Sequence, residues 1–444
     1  MMNVPFYKPS ITEAEIEEVV ATLRGGWLTT GGRTKQFEAD FAAYLHHRHA
    51  VAVNSCTAAL HLALEAIGVQ LGDGVLVPTM TFAATAEVVR YLGAVPILVD
   101  CRETDFNFDV VDAEQRLQAA LANGRRVVAM MPVHYAGQIG DVAGYRALAK
   151  KYHLKIVEDA AHCCPAYYRE IDSATLQTAS ERPDSPTASR SGELPGTPHP
   201  GTPHPALRTP HSEWASVGSS ADISCFSFYA NKCITTGEGG MACTENEAYA
   251  ERMRIMSLRG ISRDAWKRFT GEGSWYYEIL APGYKYNLTD IASAIGIHQL
   301  RRADELHRKR TALAQLYQEK LRDIEELILP TTQPDRVHSW HLFVIRLRLE
   351  CLTINRAEFI ERLKEAGIVT SVHYTPLHMH PYYREKFGYQ PDQLPCMSRV
   401  YPQILTLPLY ADLSMDELDY VCATIRELVA RHRKRVVTGV IHCG

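Results

Sequence analysis

The stretch SFYANKCITTGEGG, at residues 227–240, is the one around which the rest of this sequence is organised. An apolar run at residues 223–228 leads into it, and the extended pattern resumes at residues 241–243. This order predicts a strand, a loop that carries Lys232, a tight glycine turn and a second strand. A lysine between apolar segments loses hydration, so its pKa falls and its amine can form a Schiff base. A surface lysine in a hairpin loop explains this stretch alone equally well.

A second stretch, IVEDAAH at residues 156–162, favours the chemical interpretation. It predicts a short apolar strand that ends in two carboxylates and a histidine, and active sites of α/β sheets lie at such strand ends. A carboxylate at that position can pair with a cationic ring nitrogen. Lys232 and an acidic partner together indicate pyridoxal phosphate, bound through a Schiff base.

A phosphate site is predicted where the strand at residues 49–53 runs into NSCT at residues 54–57 and a helix at 58–67. Free backbone N–H groups and the helix dipole at such a helix start attract an anion. An ordinary Ser/Thr helix cap is the alternative. Because the lysine and the aspartate are also present, we favour phosphate, with Cys56 and Thr57 as its ligands.

Four stretches together carry a family resemblance: residues 227–240, 158–162, NSCTAALH at 54–61 and GYKYNLTD at 283–290. In this order they resemble the DegT/DnrJ/StrS family of nucleotide-sugar aminotransferases, which depend on pyridoxal phosphate. The GYKYNLTD form is most similar to enzymes that aminate a UDP-4-keto-pentose for lipid A modification. The resemblance runs from about residue 4 to about residue 430, and one insert interrupts it.

The resemblance implies an α/β fold of the aspartate aminotransferase type (fold type I), with a mostly parallel sheet in its large domain. We expect that domain at residues 1–292 and a small C-terminal α+β domain at residues 293–444. It also implies a homodimer with both sites at the interface.

The resemblance also assigns roles to single residues. Lys232 would carry the cofactor and move the proton, Asp159 would pair with the pyridine nitrogen, and His162 would contact the ring hydroxyl. Phe82 would stack on the pyridine face, although core packing is a serious alternative. Either Asn287 or Lys285 would reach the phosphate of the partner subunit's cofactor. The expected cofactor-binding residues are therefore Cys56, Thr57, Phe82, Asp159, His162, Ser227, Lys232 and Asn287.

The implied reaction moves an amino group from glutamate to a keto group of a nucleotide-linked sugar. Its product would serve cell-surface polysaccharide, lipopolysaccharide or secondary-metabolite synthesis. A deaminase or dehydratase of the same family is one alternative, and a catalytically dead regulatory homologue is another. By resemblance the dehydrating branch has histidine at the lysine position, so Lys232 argues against that branch.

Composition excludes several other classes. The formal net charge of −4 gives no polyanion-binding signature, so no nucleic-acid partner is expected. No stretch is long and apolar enough to span a membrane and none resembles a signal peptide, so we expect a cytoplasmic protein. The 11 cysteines include no CxxC pair, which favours reduced thiols, and the histidines near residue 380 lack a full metal ligand set.

One segment departs from the family. Residues 169–219 are rich in Pro, Ser and Thr and repeat GTPHP, and this composition predicts a disordered insert. It enters between the aspartate and lysine segments, so it could disturb the site.

Overall fold

The computed structural model describes residues 2–169, 214–262 and 277–434. Its centre is a seven-stranded sheet in the order β1-β9-β8-β5-β4-β2-β3. Only β9 runs against its neighbours, so the expected mostly parallel sheet is confirmed. These strands are β1 (His49–Val53), β2 (Gly74–Pro78), β3 (Val95–Val99), β4 (Val127–Met130), β5 (Lys155–Asp159), β8 (Ile223–Ser227) and β9 (Gly240–Thr244).

Helices cover this sheet, which explains why its strands are nearly continuous apolar runs. All five residues of β2 and of β9 are buried. Side-chain caps begin several of the helices, for example Asp109 at α5 and Asn246 at α7. The helices up to this point are α1 (Glu13–Gly25), α2 (Gly32–Leu45), α3 (Cys56–Ala66), α4 (Ala83–Tyr91), α5 (Val110–Ala122), α6 (Val142–Tyr152) and α7 (Glu247–Ser257).

The C-terminal part packs a second core around a three-stranded antiparallel sheet in the order β10-β12-β13. Its strands are β10 (Leu327–Ile328), β12 (Phe343–Leu347) and β13 (Ile404–Leu407). The helices from residue 290 onward are α8 (Asp290–Arg301), α9 (Ala303–Leu321), α10 (Arg356–Glu365), α11 (Pro381–Phe387), α12 (Pro395–Val400) and α13 (Met415–His432). Of these, α9, α10 and α13 pack in the second core, whereas α8 packs against α1 and α2. Val4 from the N-terminal segment joins this core and pairs with Ile368. The domain boundary at 292/293 stays a prediction.

A third, small sheet lies where the insert leaves and re-enters the fold. It pairs β6 (Tyr167–Tyr168) with β7 (Ala215–Ser216) and β11 (Arg336–Val337). Most of the predicted disordered segment, residues 170–213, lies outside the described residues. Its C-terminal end differs from the prediction, because residues 214–219 are ordered, with Val217 only 1% exposed. Val217 packs in a buried cluster, which the average composition of the segment had concealed.

Among the helices in the described ranges, none combines the length and the apolar character that crossing a bilayer requires.

Candidate active site

Lys232 lies in the loop between β8 and β9, at the C-terminal edge of the sheet. Its backbone N–H donates to Tyr229 O at 2.9 Å, and its Nζ lies 3.3 Å from His341 Nε2. Burial lowers the pKa of Lys232, while the neighbouring Cys56 and Asp159 act to raise it. The amine is therefore biased toward the neutral, nucleophilic form.

Asp159 ends β5 and is 5% exposed. Thr85 Oγ1 donates to its Oδ2 at 2.8 Å, and the backbone N–H of Ala161 donates to its Oδ1 at 3.1 Å. Burial raises the pKa of Asp159, and the hydrogen bonds from Thr85 and Ala161 oppose that rise. The two hydrogen bonds thus fix the orientation of the carboxyl, but its charge is not fully compensated. A cationic partner would therefore be stabilised beside it.

Of the two carboxylates Glu158 and Asp159, only Asp159 lies on the same side of the sheet as Lys232. Glu158 precedes Asp159 on the strand, so its side chain points to the other face of the sheet. There its Oε2 lies 3.2 Å from Nε2 of the buried His134. His134 therefore lies beside Glu158, on the face of the sheet opposite Asp159.

His162 is held at both ring nitrogens. The backbone N–H of Ala136 donates to its Nδ1 at 3.1 Å, so its proton lies on Nε2, which is 2.9 Å from Tyr374 Oη. Its ring lies 4.5 Å from that of His341. Burial keeps the pKa of His162 well below its ordinary value, and the charge of Lys232 lowers it further. His162 is therefore a neutral donor with a fixed orientation.

The predicted phosphate site is the N-terminus of α3, with Cys56 and Thr57 as its first two residues. Ser55 is the cap, since its Oγ accepts the N–H of Ala58 at 3.1 Å. The two alternative interpretations are therefore compatible: Ser55 caps the helix, and the N–H groups of the first two residues have no intrahelical acceptor. Gly240 lies directly against this turn, because a Cβ there would stand 2.5 Å from the Ser55 carbonyl and 2.6 Å from Cys56 N.

Ser227 and Phe82 complete the opposite walls. Ser227 pairs with Gly240 across β8 and β9, and its Oγ accepts the N–H of Tyr229 at 3.3 Å. Phe82 caps α4 and is 62% exposed, with its ring 5.8 Å from that of Tyr374. The core-packing alternative for Phe82 is therefore wrong, and one aromatic face is open to a ligand.

Asn287 lies beside the end of β1 in its own chain, where it pairs with Val53. Its Nδ2 donates to Thr30 Oγ1 at 2.7 Å, and Lys285 Nζ donates to its Oδ1. The two side chains that compete for the phosphate role are thus hydrogen-bonded to each other. Their contact with a partner subunit's cofactor stays a prediction.

The DegT/DnrJ/EryC1/StrS aminotransferase family model matches residues 9–426 of the chain. The chain belongs to this family. It is 38% identical to the spore coat polysaccharide biosynthesis protein SpsC of Bacillus subtilis, over 96% of this chain and 97% of that protein. It is also 38% identical to an uncharacterized protein of Methanocaldococcus jannaschii, over 97% and 98% of the two chains.

Solved structures agree. Spr1654 of Streptococcus pneumoniae, described as a sugar aminotransferase and solved in its PMP form, matches with a TM-score of 0.80 at 30% identity. That match covers 97% of this chain and all of the other. Its PLP form matches with the same TM-score at 29% identity. The fold-type I class and the family resemblance are both confirmed, and the chain is a sugar aminotransferase that depends on pyridoxal phosphate.

The residues of this family member fit that cofactor. Lys232 offers an amine whose pKa is lowered by burial, Asp159 a carboxyl held by Thr85, and Phe82 a largely exposed ring. Gly240 packs directly against the first turn of α3, at a distance that a Cβ would not allow. No group of three or more His, Cys, Asp and Glu residues able to hold a metal ion occurs within residues 2–169, 214–262 and 277–434.

Three contact residues escaped the sequence analysis: Thr85, His341 and Tyr374. Thr85 follows Phe82 by three residues, so helical spacing next to a predicted ring-stacking residue could have found it. His341 and Tyr374 carry no comparable signal, because they come from the C-terminal part. Only tertiary packing brings His341 to Lys232 and Tyr374 to His162.

Proposed function

We propose that this aminotransferase moves an amino group from glutamate to a keto group of a nucleotide-linked sugar. The observation that carries the proposal is the Lys232 amine, whose pKa is lowered by loss of hydration and which lies within electrostatic range of Asp159 and of Cys56 at the α3 terminus. Pyridoxal phosphate, when bound, supplies the carbonyl carbon and the electron sink that amino-group transfer needs. The name of the relative SpsC supports a product destined for a cell-surface polysaccharide.

The residues of the chain divide the work. Lys232 Nζ binds the cofactor and then, when free, accepts and returns the proton that moves between reacting carbons. Asp159 Oδ1 and Oδ2, fixed by Ala161 and Thr85, hold a cationic ring nitrogen. His162 Nε2–H and the Tyr374 hydroxyl orient a ring oxygen from the side.

The proposal includes a homodimer in which Lys285 or Asn287 reaches the phosphate of the partner subunit's cofactor. An exposed apolar group near this segment supports it: Ile16, Leu23, Trp27 and Leu28 on and after α1, and Ile279 and Leu280 just before residue 285. Light scattering on the purified protein measures the assembly directly. A monomer at micromolar concentration would reject the shared site.

The decisive experiment is a visible spectrum of the protein loaded with pyridoxal phosphate. Glutamate should convert the visible band to that of the pyridoxamine form, and UDP-4-amino-4-deoxy-arabinose should do the same in the reverse direction. Lys232→Ala, which binds but cannot react, is the matched control. Conversion by glutamate alone would keep the aminotransferase and reject this sugar.

Product analysis by mass spectrometry separates transfer from its rivals. An amino sugar is expected from the keto sugar and glutamate. A deoxy keto sugar would instead identify a deaminase or dehydratase. No visible band after addition of the cofactor would indicate a catalytically dead homologue.

A further inference from the structure

We propose that His341 is the positioning residue of Lys232, because its Nε2–H holds the neutral lysine amine at the point where that amine reacts. This inference rests on the proposed function of the site and goes beyond the residues assigned above. The two atoms are 3.3 Å apart, which is within hydrogen-bond reach.

Backbone contacts fix His341 in place. The N–H of Ser339 donates to Gly137 O at 2.9 Å, and that of Leu342 donates to Ala136 O at 3.2 Å. Gly137 is required for this approach, since a Cβ there would lie 3.2 Å from His341 N. The same segment, residues 136–137, also holds His162 through the Ala136 N–H. One turn therefore sets both imidazoles that flank the lysine.

The hydrogen-bond network assigns the proton of His341. Its Nδ1 is buried and has no hydrogen-bond partner in the part of the chain that the structure describes. A buried N–H without an acceptor is rarer than an unfilled acceptor, so the proton lies on Nε2. This Nε2–H points at Lys232 Nζ, and only a neutral amine has the lone pair to accept it.

The surroundings keep His341 neutral. It is 4% exposed, its ring lies 4.5 Å from His162, and burial keeps its pKa well below the ordinary value. A positive charge on Lys232 or on His162 would lower that pKa further. The other titratable groups that act on Lys232 or His341 are Cys56, Asp159, Cys163, Cys233, Arg310 and His373. A neutral donor beside the amine disfavours the ammonium form, so His341 adds to the effect of burial.

The test measures Lys232 itself in the cofactor-free protein. Trace labelling with acetic anhydride from pH 6 to pH 11, read by mass spectrometry against the exposed Lys285, gives the reactivity and pKa of Lys232. His341→Phe keeps a ring but no donor, and should cut labelling at pH 7 about tenfold by raising that pKa about one unit. His341→Gln places an amide near the Nε2 position, and should stay within about twofold of the parent protein.

Two further variants make the test specific. His341→Asn carries its amide only at the Nδ1 position, so its labelling should fall as in His341→Phe. If the Phe variant does not fold, the comparison of the Gln and Asn variants tests the proposal instead. His307→Phe removes another, half-buried imidazole, whose Nε2 contacts His338 O at 2.9 Å, and should label like the parent. Equal labelling of His341→Phe and parent, or equal losses in the Gln and Asn variants or in His307→Phe, would overturn the proposal.

Because this labelling uses no sugar and no amino donor, a wrong substrate class leaves its outcome unchanged. If the amino sugar does not change the visible spectrum but Lys232 labelling still depends on His341, the proposed substrate is rejected and the positioning role is kept. If the spectrum changes as expected but Lys232 labelling does not depend on His341, the proposed reaction is kept and the positioning role of His341 is rejected.

Discussion

Lys232 and Lys285 are two lysines whose charged neighbours differ in sign. Lys232 has Asp159 and Cys56 beside it, yet loss of hydration still lowers its pKa. Lys285 is exposed and donates to Asn287, and both partial burial and the charge of Arg259 lower its pKa. Desolvation lowers the pKa of both lysines, but Asp159 and Cys56 oppose it at Lys232, whereas Arg259 adds to it at Lys285. We expect Lys232 to act as a nucleophile, and an anion contact of Lys285 stays a prediction.

The largest expected effect is that of replacing Lys232 with alanine. Lys232→Ala should lower turnover by about 10⁴-fold or more, because both the covalent link and the proton carrier are lost. The fold should remain, so the variant should still bind pyridoxamine phosphate, as measured by fluorescence titration.

Lys285→Ala is the matched control for charge. It should keep turnover within about tenfold at saturating cofactor and weaken only cofactor affinity. The proposed distinction between a catalytic Lys232 and a Lys285 that affects only cofactor affinity would be wrong in two cases. Either Lys285→Ala is as inactive as Lys232→Ala, or Lys232→Ala keeps its turnover.

Asp159→Asn sharpens the chemical side of the comparison by keeping volume and removing charge. The kcat/KM should fall on the order of 10²–10³-fold, because the counter-charge for the ring nitrogen is lost. Steady-state kinetics at saturating cofactor measures the loss. A variant of near-normal kcat/KM would exclude the carboxylate from this role.

The same variant predicts the opposite effect on stability in the cofactor-free protein. The folded-state pKa of Asp159 is raised, so the folded form favours the proton, and stability is lost as pH rises from the ordinary carboxyl range through that raised pKa. Asp159→Asn has no carboxyl to ionise, so its free energy of unfolding at pH 8 should be about 1–3 kcal/mol higher than that of the parent protein. Denaturant unfolding at pH 8 and pH 3 checks it: the gap should close at the lower pH.

Gly240→Ala tests the phosphate side of the site. The added Cβ would collide with the Ser55 carbonyl, so α3 must shift. We expect a loss of about 1–3 kcal/mol in unfolding free energy and about tenfold weaker cofactor binding. Gly25→Ala, where a Cβ meets nothing within 4 Å, is the control and should leave both quantities nearly unchanged. Normal binding by Gly240→Ala would mean that the α3 turn does not hold the phosphate.

The smallest effect is expected for Cys56→Gly. The role assigned to Cys56 uses its backbone N–H, and burial keeps its thiol protonated by raising its pKa well above the usual value. Cofactor affinity should change by less than about threefold, with a stability cost near 1 kcal/mol from glycine in a helix. A much larger loss of affinity would show that the thiol side chain itself takes part in binding.

Much of the fold and site was predictable because its signals are local. The apolar runs before Asp159 and Lys232 fix two adjacent parallel strands, β5 and β8, whose C-terminal ends meet at one edge. The small residues after β1 fix the start of α3. The apolar end of the predicted insert was missed because two ordered residues per strand are too short for periodicity, and Val217 gains its burial only from distant partners.

By itself the sequence determined the family and the mostly parallel sheet, since these depend on spacing along the chain. Only the tertiary structure decided which groups surround the lysine. His341 and Tyr374 lie more than a hundred residues from Lys232 and belong to the C-terminal part. Their role depends on burial and on hydrogen-bond direction, which exist only after distant segments have packed together.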